Sequence, residues 1–259
     1  MYLNGFSKER AYKFVFYYNM GQKIRPNLHR LGITENWRSR WWPKKKFGDQ
    51  LEEDVHIRDI IKEKIAASGI VRVEIERTAD NAFKIFLKVA RPGLVIGRGG
   101  KGIEELTKIV EKTLLKLARN RGMKHPKISI SLTIEELKRS EISAQYIAQS
   151  IAWDLEKRIS ARRTMRKFLD LIMQNREVQG AKILLSGRID GNEISRREML
   201  VQGKLPLQTF RANVDYGETP AYNTYGKVGV KVWVYKGNIF KEDTEKAAKR
   251  EGNRKESRY

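Results

Sequence analysis

Hydrophobic and polar positions settle into two long regular stretches. From Leu51 the period is helical: Val55, Ile57, Ile60, Ile61 and Ile65 recur at helical spacing, and Gly69 ends the run. Val71, Val73 and Ile75 then alternate with Arg72, Glu74 and Glu76, which is the pattern of a half-buried strand. Asp80-Asn81 turns the chain, and Phe83, Ile85, Leu87 and Val89 alternate as a second strand. A short apolar helix follows Arg91-Pro92-Gly93 and leads into a glycine loop. Ile103, Leu106, Val110, Leu114 and Leu117 form one stripe of a helix reaching about Asn120. Ile128, Ile130, Leu132 and Ile134 predict a third strand.

The second stretch starts near Leu137. Ile142, Tyr146, Ile151, Leu155 and Ile159 mark one long helix, and Met165, Phe168, Leu169, Ile172 and Met173 mark its continuation or a second helix. Four strand candidates come next, at 181–186, 193–201, 209–216 and 225–235, punctuated by Gly187, Asp190-Gly191, Gly203 and Gly217. Helices followed by a run of strands predict an α+β unit, with helices on one face of a mostly antiparallel sheet. Outside these stretches the pattern weakens. Residues 1–20 read as an extension ahead of a change in composition. Residues 21–50 carry Pro26, Gly32, Pro43 and Gly48 and read as an irregular arm. Charges of both signs dominate after Lys236, and that tail is expected to be disordered. The domain organisation expected is therefore extension 1–20, arm 21–50, a first domain 51–136, a second 137–236 and a tail 237–259.

Charge changes the picture. Lys and Arg number 53 against 31 acidic residues, a formal net charge of +22. Self-repulsion on that scale is relieved best by a polyanion, with nucleic acid the first partner to consider and an anionic membrane the second. No apolar run approaches the roughly 20 residues that span a bilayer. The chain has no Cys, which excludes disulfides, thiolate metal sites and Cys nucleophiles. Its three His, at 29, 56 and 125, are isolated, and no HExxH or GxSxG occurs. The paired carboxylates Glu52-Glu53, Glu104-Glu105 and Glu135-Glu136 are sequence neighbours, which point apart on a helix or strand. An enzyme, a cofactor and a small-molecule substrate are not expected.

The chemistry concentrates in Leu94–Lys101, LVIGRGGK. Gly97, Arg98, Gly99 and Gly100 form a GxxG loop with Lys101 at its rim. Glycines there let a nucleic-acid backbone approach the main chain without meeting a Cβ. The helix that follows offers unpaired N–H groups and the positive end of its dipole to a phosphate. Such a loop between two helices, in the order helix, strand, strand, helix, loop, helix, strand, is the type II KH arrangement, with a three-stranded sheet and single-stranded RNA as ligand. Gly97, Gly99 and Gly102 also satisfy GxGxxG, but the dinucleotide fingerprint needs a buried strand directly before it and an acidic residue about 20 positions on. Pro92-Gly93 intervenes, and 119–124 holds no acid.

A second basic cluster runs Lys157, Arg158, Arg162, Arg163, Arg166, Lys167, with Glu156 the one acid between Leu155 and Phe168. Spacing of four puts 158, 162 and 166 on one helical face, with 163 beside 166. A solvated face normally mixes signs; this one hardly does, and phosphate contact is the better reading. The arm interleaves Trp37, Arg38, Arg40, Trp41, Trp42, Lys44, Lys45 and Lys46. Its tryptophans stack on bases or cover a core face, and both can hold.

Several blocks resemble one family. Gly21-Gln22-Lys23 with Pro26 and Arg30-Leu31-Gly32-Ile33, then Ala90-Arg91-Pro92-Gly93 and VIGRGG, then Arg162-Arg163-Thr164-Met165-Arg166, look like the third ribosomal protein of the bacterial small subunit. Gly187-Arg188, Pro206-Leu207, Arg211-Ala212, Asp215-Tyr216 and the closing TYGKVGVKVWVYKG, Thr224 to Gly237, continue it in order. The resemblance implies a structural protein of the small-subunit head in the cytoplasmic ribosome, joining a type II KH domain to a C-terminal α+β domain. It implies binding to 16S rRNA and to neighbouring head proteins, without a membrane. It also implies a place at the mRNA entry channel, where message is gripped and passively unwound. Carried over, the channel-lining residues are Arg162, Arg163 and Arg166; relatives often have Lys at the third. Candidate rRNA contacts are Lys23, Arg30, Arg38, Arg40, Lys44, Lys45, Lys46 and Arg158. Two departures stand out. Residues 1–19 precede the family's usual start, as a lineage extension or a misplaced start codon, and Lys112 to Lys127 looks longer than in many members. A free KH-type RNA regulator is the other class that composition allows.

Overall fold

Ile57, Ile61 and Ile65 share one face of a helix, and the sheet they cover alternates in step with them. The computed structural model describes residues 24–42, 47–79, 82–122, 128–138 and 142–239. Within these, α1 spans Pro26–His29, β1 Ser39–Arg40, α2 Phe47–Ile65, β2 Ile70–Ala79 and β3 Ala82–Val89. The short α3 spans Pro92–Ile96, α4 Lys101–Asn120 and β4 Ser129–Glu136. The second half holds α5 Ala144–Glu156, α6 Ala161–Met173, β5 Gly180–Gly187, β6 Arg196–Gly203, β7 Ala212–Asn223 and β8 Gly226–Asn238.

The first sheet has the order β1-β2-β3-β4, with β2 and β3 antiparallel and β4 parallel to β3. A parallel pair needs a long crossover, and α3, the glycine loop and α4 supply it. Val73 and Ile75 of β2, with Phe83, Ile85, Leu87 and Val89 of β3, meet α2 and the α4 stripe Leu106, Val110 and Leu114 in one core. The opposite face is ionic: Arg40 pairs with Glu74 and with Glu76 (2.9 Å), and Arg72 with Glu74 (2.6 Å). The second sheet, β6-β5-β8-β7, is antiparallel throughout. Its Ile183, Leu185, Val230, Val232 and Val234 pack beneath α5 and α6. The expected α+β class and the two helix-and-sheet units are present.

Three readings need correction. The sheet of the first domain gains a fourth strand, because Ser39 and Arg40 of the arm pair parallel with Ile75 and Glu76. The arm's described part is therefore ordered by both domains. Asn27 Nδ2 donates to the Tyr216 carbonyl (3.3 Å), and Arg25 pairs with Glu218 (2.5 Å), both on β7. Further along the arm, Trp41 Nε1 donates to Asp54 on α2 (2.8 Å). Next, the helix expected to run through Ile159 ends at Glu156, and Met165 lies on a second helix. Arg158 takes φ +61° in the break, so it does not share a helical face with Arg162 and Arg166. Finally, β7 runs on to Asn223 and β8 to Asn238, past the limits alternation suggested. The extension 1–20, the Asp80-Asn81 turn and the tail from 240 lie outside the described residues.

The domains also touch directly. Gln149 Nε2 on α5 donates to the Ile70 carbonyl at the start of β2 (3.0 Å). The Tyr146 ring lies against Gly69, where a Cβ would come within 2.8 Å of it. Gly69 also holds φ +74°, so both space and backbone demand glycine there.

Candidate nucleic-acid interface

The glycine loop is built by backbone conformation. Gly97 (φ +68°, ψ 179°), Gly99 (φ +66°, ψ 25°) and Gly100 (φ +81°, ψ 0°) all lie where side-chain-bearing residues are strained. Gly97 closes α3, its N–H donating to the Gly93 carbonyl (3.1 Å), and Gly100 caps the start of α4. One step on, Gly102 presses against the α3 end, where a Cβ would sit 2.5 Å from the Val95 carbonyl. That contact fixes the loop against its helix. By contrast a Cβ at Gly99 or Gly100 would meet nothing within 4 Å, so their outer side is open. Arg98 and Lys101 are exposed on the rim. The result is a glycine edge, two cations and a 20-residue helix whose first N–H groups lie beside them.

The second basic region is built by side chains. Ala161, Thr164, Met165, Phe168, Leu169 and Ile172 bury one face of α6. Arg162, Arg163 and Arg166 fall on the other and are exposed. Asp190 holds the start of this helix, its Oδ1 accepting from the Ala161 N–H (3.1 Å), so that terminus already has its anion. Arg162 reaches Glu198 on the edge strand β6 (3.5 Å), which is also held by Arg196 (2.8 Å). Among the described residues Arg163 and Arg166 form no ion pair. Lys167 of the same run turns to Asp154 (3.2 Å). Arg196 extends this surface; sequence reasoning missed it, because the charged residues of β6 signal only a charged strand until the fold sets Glu198 and Arg196 beside α6.

The remaining candidates separate. Arg30 is 1% exposed. Its Nε donates to the Ala212 carbonyl (2.7 Å), its Nη1 to Pro26 (3.2 Å), and its Nη2 to carbonyls of Pro206, Leu207 and Thr209 (2.9–3.3 Å). All three guanidinium nitrogens serve the fold, so Arg30 is a strut and the rRNA role expected for it is withdrawn. Burial lowers its pKa, with Glu35 opposing. Arg38 and Arg158 are exposed. Arg40 already pairs with two glutamates. Lys23, Lys44, Lys45 and Lys46 lie outside the described residues. Of the tryptophans, Trp41 is held by Asp54 with the Arg77 guanidinium 5.2 Å from its ring, whereas Trp42 is 91% exposed. Trp41 thus packs onto α2, and Trp42 is left outside the core.

No group of His, Asp or Glu among the described residues is arranged to hold a metal ion, and no described helix is long and apolar enough to cross a membrane.

Two family models match, the KH domain over residues 56–142 and "Ribosomal protein S3, C-terminal domain" over residues 151–234. The chain is 42% identical over 221 residues to "Small ribosomal subunit protein uS3" of Alkaliphilus oremlandii, covering 85% of this chain and 87% of that one. Identity is 44% over 236 residues to the same-named protein of Desulforudis audaxviator, covering 91% of this chain and 100% of the relative. It is again 44% over 221 residues to that of Clostridium botulinum, covering 85% and 93%.

Proposed function

The chain belongs to the S3 family of small ribosomal subunit proteins, structural components rather than enzymes, and from that membership we propose that it grips two RNAs with its two basic regions. The glycine loop, with Gly97, Arg98, Gly99, Gly100 and Lys101, holds a single-stranded stretch of 16S rRNA. Arg162, Arg163 and Arg166 face incoming mRNA at the entry channel of the cytoplasmic ribosome and hinder re-pairing of strands as they pass. Arg38 and Arg158 add rRNA phosphate contacts, and neighbouring head proteins complete the surroundings. The observation that supports this most is α6 itself: one face sunk in the core, the other presenting three arginines whose one carboxylate partner among the described residues is Glu198, 3.5 Å from Arg162. A helix anchored that way holds cations at fixed positions, so a moving RNA meets a rigid charged surface rather than mobile side chains on a loop.

The test is a ribosome carrying Ala at Arg162, Arg163 and Arg166. No core side chain changes, so assembly should be normal. Translation through a stable downstream hairpin should slow several-fold, while unstructured message is read at near-parent rate. Equal slowing on both messages, or none on hairpins, would remove the three arginines from the role. High-salt washing separates this reading from a free RNA regulator, which would leave the subunit.

A further inference from the structure

The outer face of α4 carries a row of cations of which only the first, Lys101, belongs to the glycine loop. Lys101, Lys108, Lys112, Lys116 and Arg119 lie opposite the buried Leu106, Val110, Leu114 and Ala118. At 1.5 Å per residue the row spans about 27 Å, beginning at the rim of the glycine loop. From Lys108 onward the exposed face of the helix carries no acid; Glu111 sits to one side, half-buried. Lys108 approaches Glu104 at 4.0 Å, both side chains at least 70% exposed, and a pair like that contributes little. Among the described residues Lys112, Lys116 and Arg119 form no ion pair.

The neighbouring helix could have neutralised this row and does not. Its acids Asp49, Glu52 and Glu53 on α2 are drawn to Arg121, just past the end of α4, at 3.7, 2.5 and 2.6 Å. Glu53 and Asp54 also hold the buried Arg77 at 2.7 and 2.5 Å. Burial works against the charge of Arg121, but its hydrogen bonds to Glu52 and Glu53 outweigh that and raise its pKa. The carboxylates are thus spent on Arg77 and Arg121, and the lysine row remains uncompensated.

We infer that the α4 row is a second phosphate track, and that single-stranded RNA leaving the glycine loop runs along it. The inference rests on the loop reading above. A KH loop clamps four nucleotides. The track lengthens that footprint and has the chemistry of point charges on phosphates, without base readout. Its start at the loop rim and the absence of acids on its exposed face from Lys108 onward distinguish it from a solvated helix face, which mixes signs; the exposed Glu104 and Glu105 lie between Lys101 and Lys108.

The experiment uses the full chain and two single-stranded RNAs, of four and twelve nucleotides, with affinity read against salt. The twelve-mer should show a salt slope steeper than the four-mer. A variant with Lys108→Gln, Lys112→Gln, Lys116→Gln and Arg119→Gln keeps helix-forming residues, and its melting curve reports folding. It should lower the twelve-mer slope by about 2.8 and leave the four-mer untouched. Equal slopes for the two RNAs, or an unchanged twelve-mer slope in a folded variant, overturns the track and spares the loop. If Gly99→Asp weakens neither RNA, the loop reading fails instead; a twelve-mer slope that still falls in the Gln variant then supports the track alone.

Discussion

At the glycine loop three of four consecutive residues take positive φ and no side chain is needed to shape the surface; on α6 the backbone is ordinary and three arginines make the surface. The first region is specified by what cannot be there, a Cβ. The second is specified by what stands behind it, a packed helix face. The two should therefore fail differently. Substitution in the loop damages backbone and binding together. Substitution on α6 removes charge and leaves the fold alone.

The largest effect is expected at Gly97. Its φ +68°, ψ 179° lies in a region essentially closed to other residues, and a Cβ would sit 3.1 Å from the Gly102 nitrogen. Gly97→Val should cost about 1–3 kcal/mol and lower single-stranded RNA affinity at least tenfold. Chemical denaturation with a binding titration checks both. A stable variant that binds normally would break the contrast. Next comes the triple Ala variant on α6. Its stability should stay within about 0.5 kcal/mol of the parent, while the salt slope for single-stranded RNA falls by roughly 2. A large loss of stability would mean that the arginines support the helix.

Smaller is the cap. Asp190→Ala leaves the Ala161 N–H without its acceptor and should cost about 1 kcal/mol, seen as a lower Tm. Since it loosens the α6 start, it should also blunt hairpin passage without changing the number of cations. The smallest effect sharpens the comparison most. Arg162, Arg163 and Arg166 changed together to Lys should leave the salt slope unchanged, because a point charge on phosphate is all the α6 reading requires. No replacement at Gly97 should be silent in that way. A marked loss on the Lys variant would argue for bidentate guanidinium contacts.

The same difference explains what the chain disclosed before its fold was known. A positive φ is a local demand, so glycine spacing at 97, 99 and 100 carried the loop outright. Alternation from Val71 to Val89 likewise placed two strands, because one sheet face is core and the other water. Arg30 misled, since an arginine usually keeps its charge in water. Apart from Pro26, its partners are carbonyls at 206–212, which no local pattern reports. The false face of Arg158, Arg162 and Arg166 has a similar cause: spacing of four says nothing about a helix that stops at Glu156. Glu198 and Arg196 came beside Arg162 only through the pairing of β6 with β5.

The Arg30 strut also sets an order in time. Its backbone acceptors on the far side lie 176 to 182 residues further along the chain. At synthesis rates of roughly 5–20 residues per second, it waits on the order of 10–40 s after its own translation for those carbonyls to exist. The first domain, with all its strands and helices complete by residue 136, can condense in that interval. The earliest described segment of the polypeptide is thus among the last to reach its final place. A nascent chain arrested before residue 206 should hold Arg30 accessible, and one released beyond it should not.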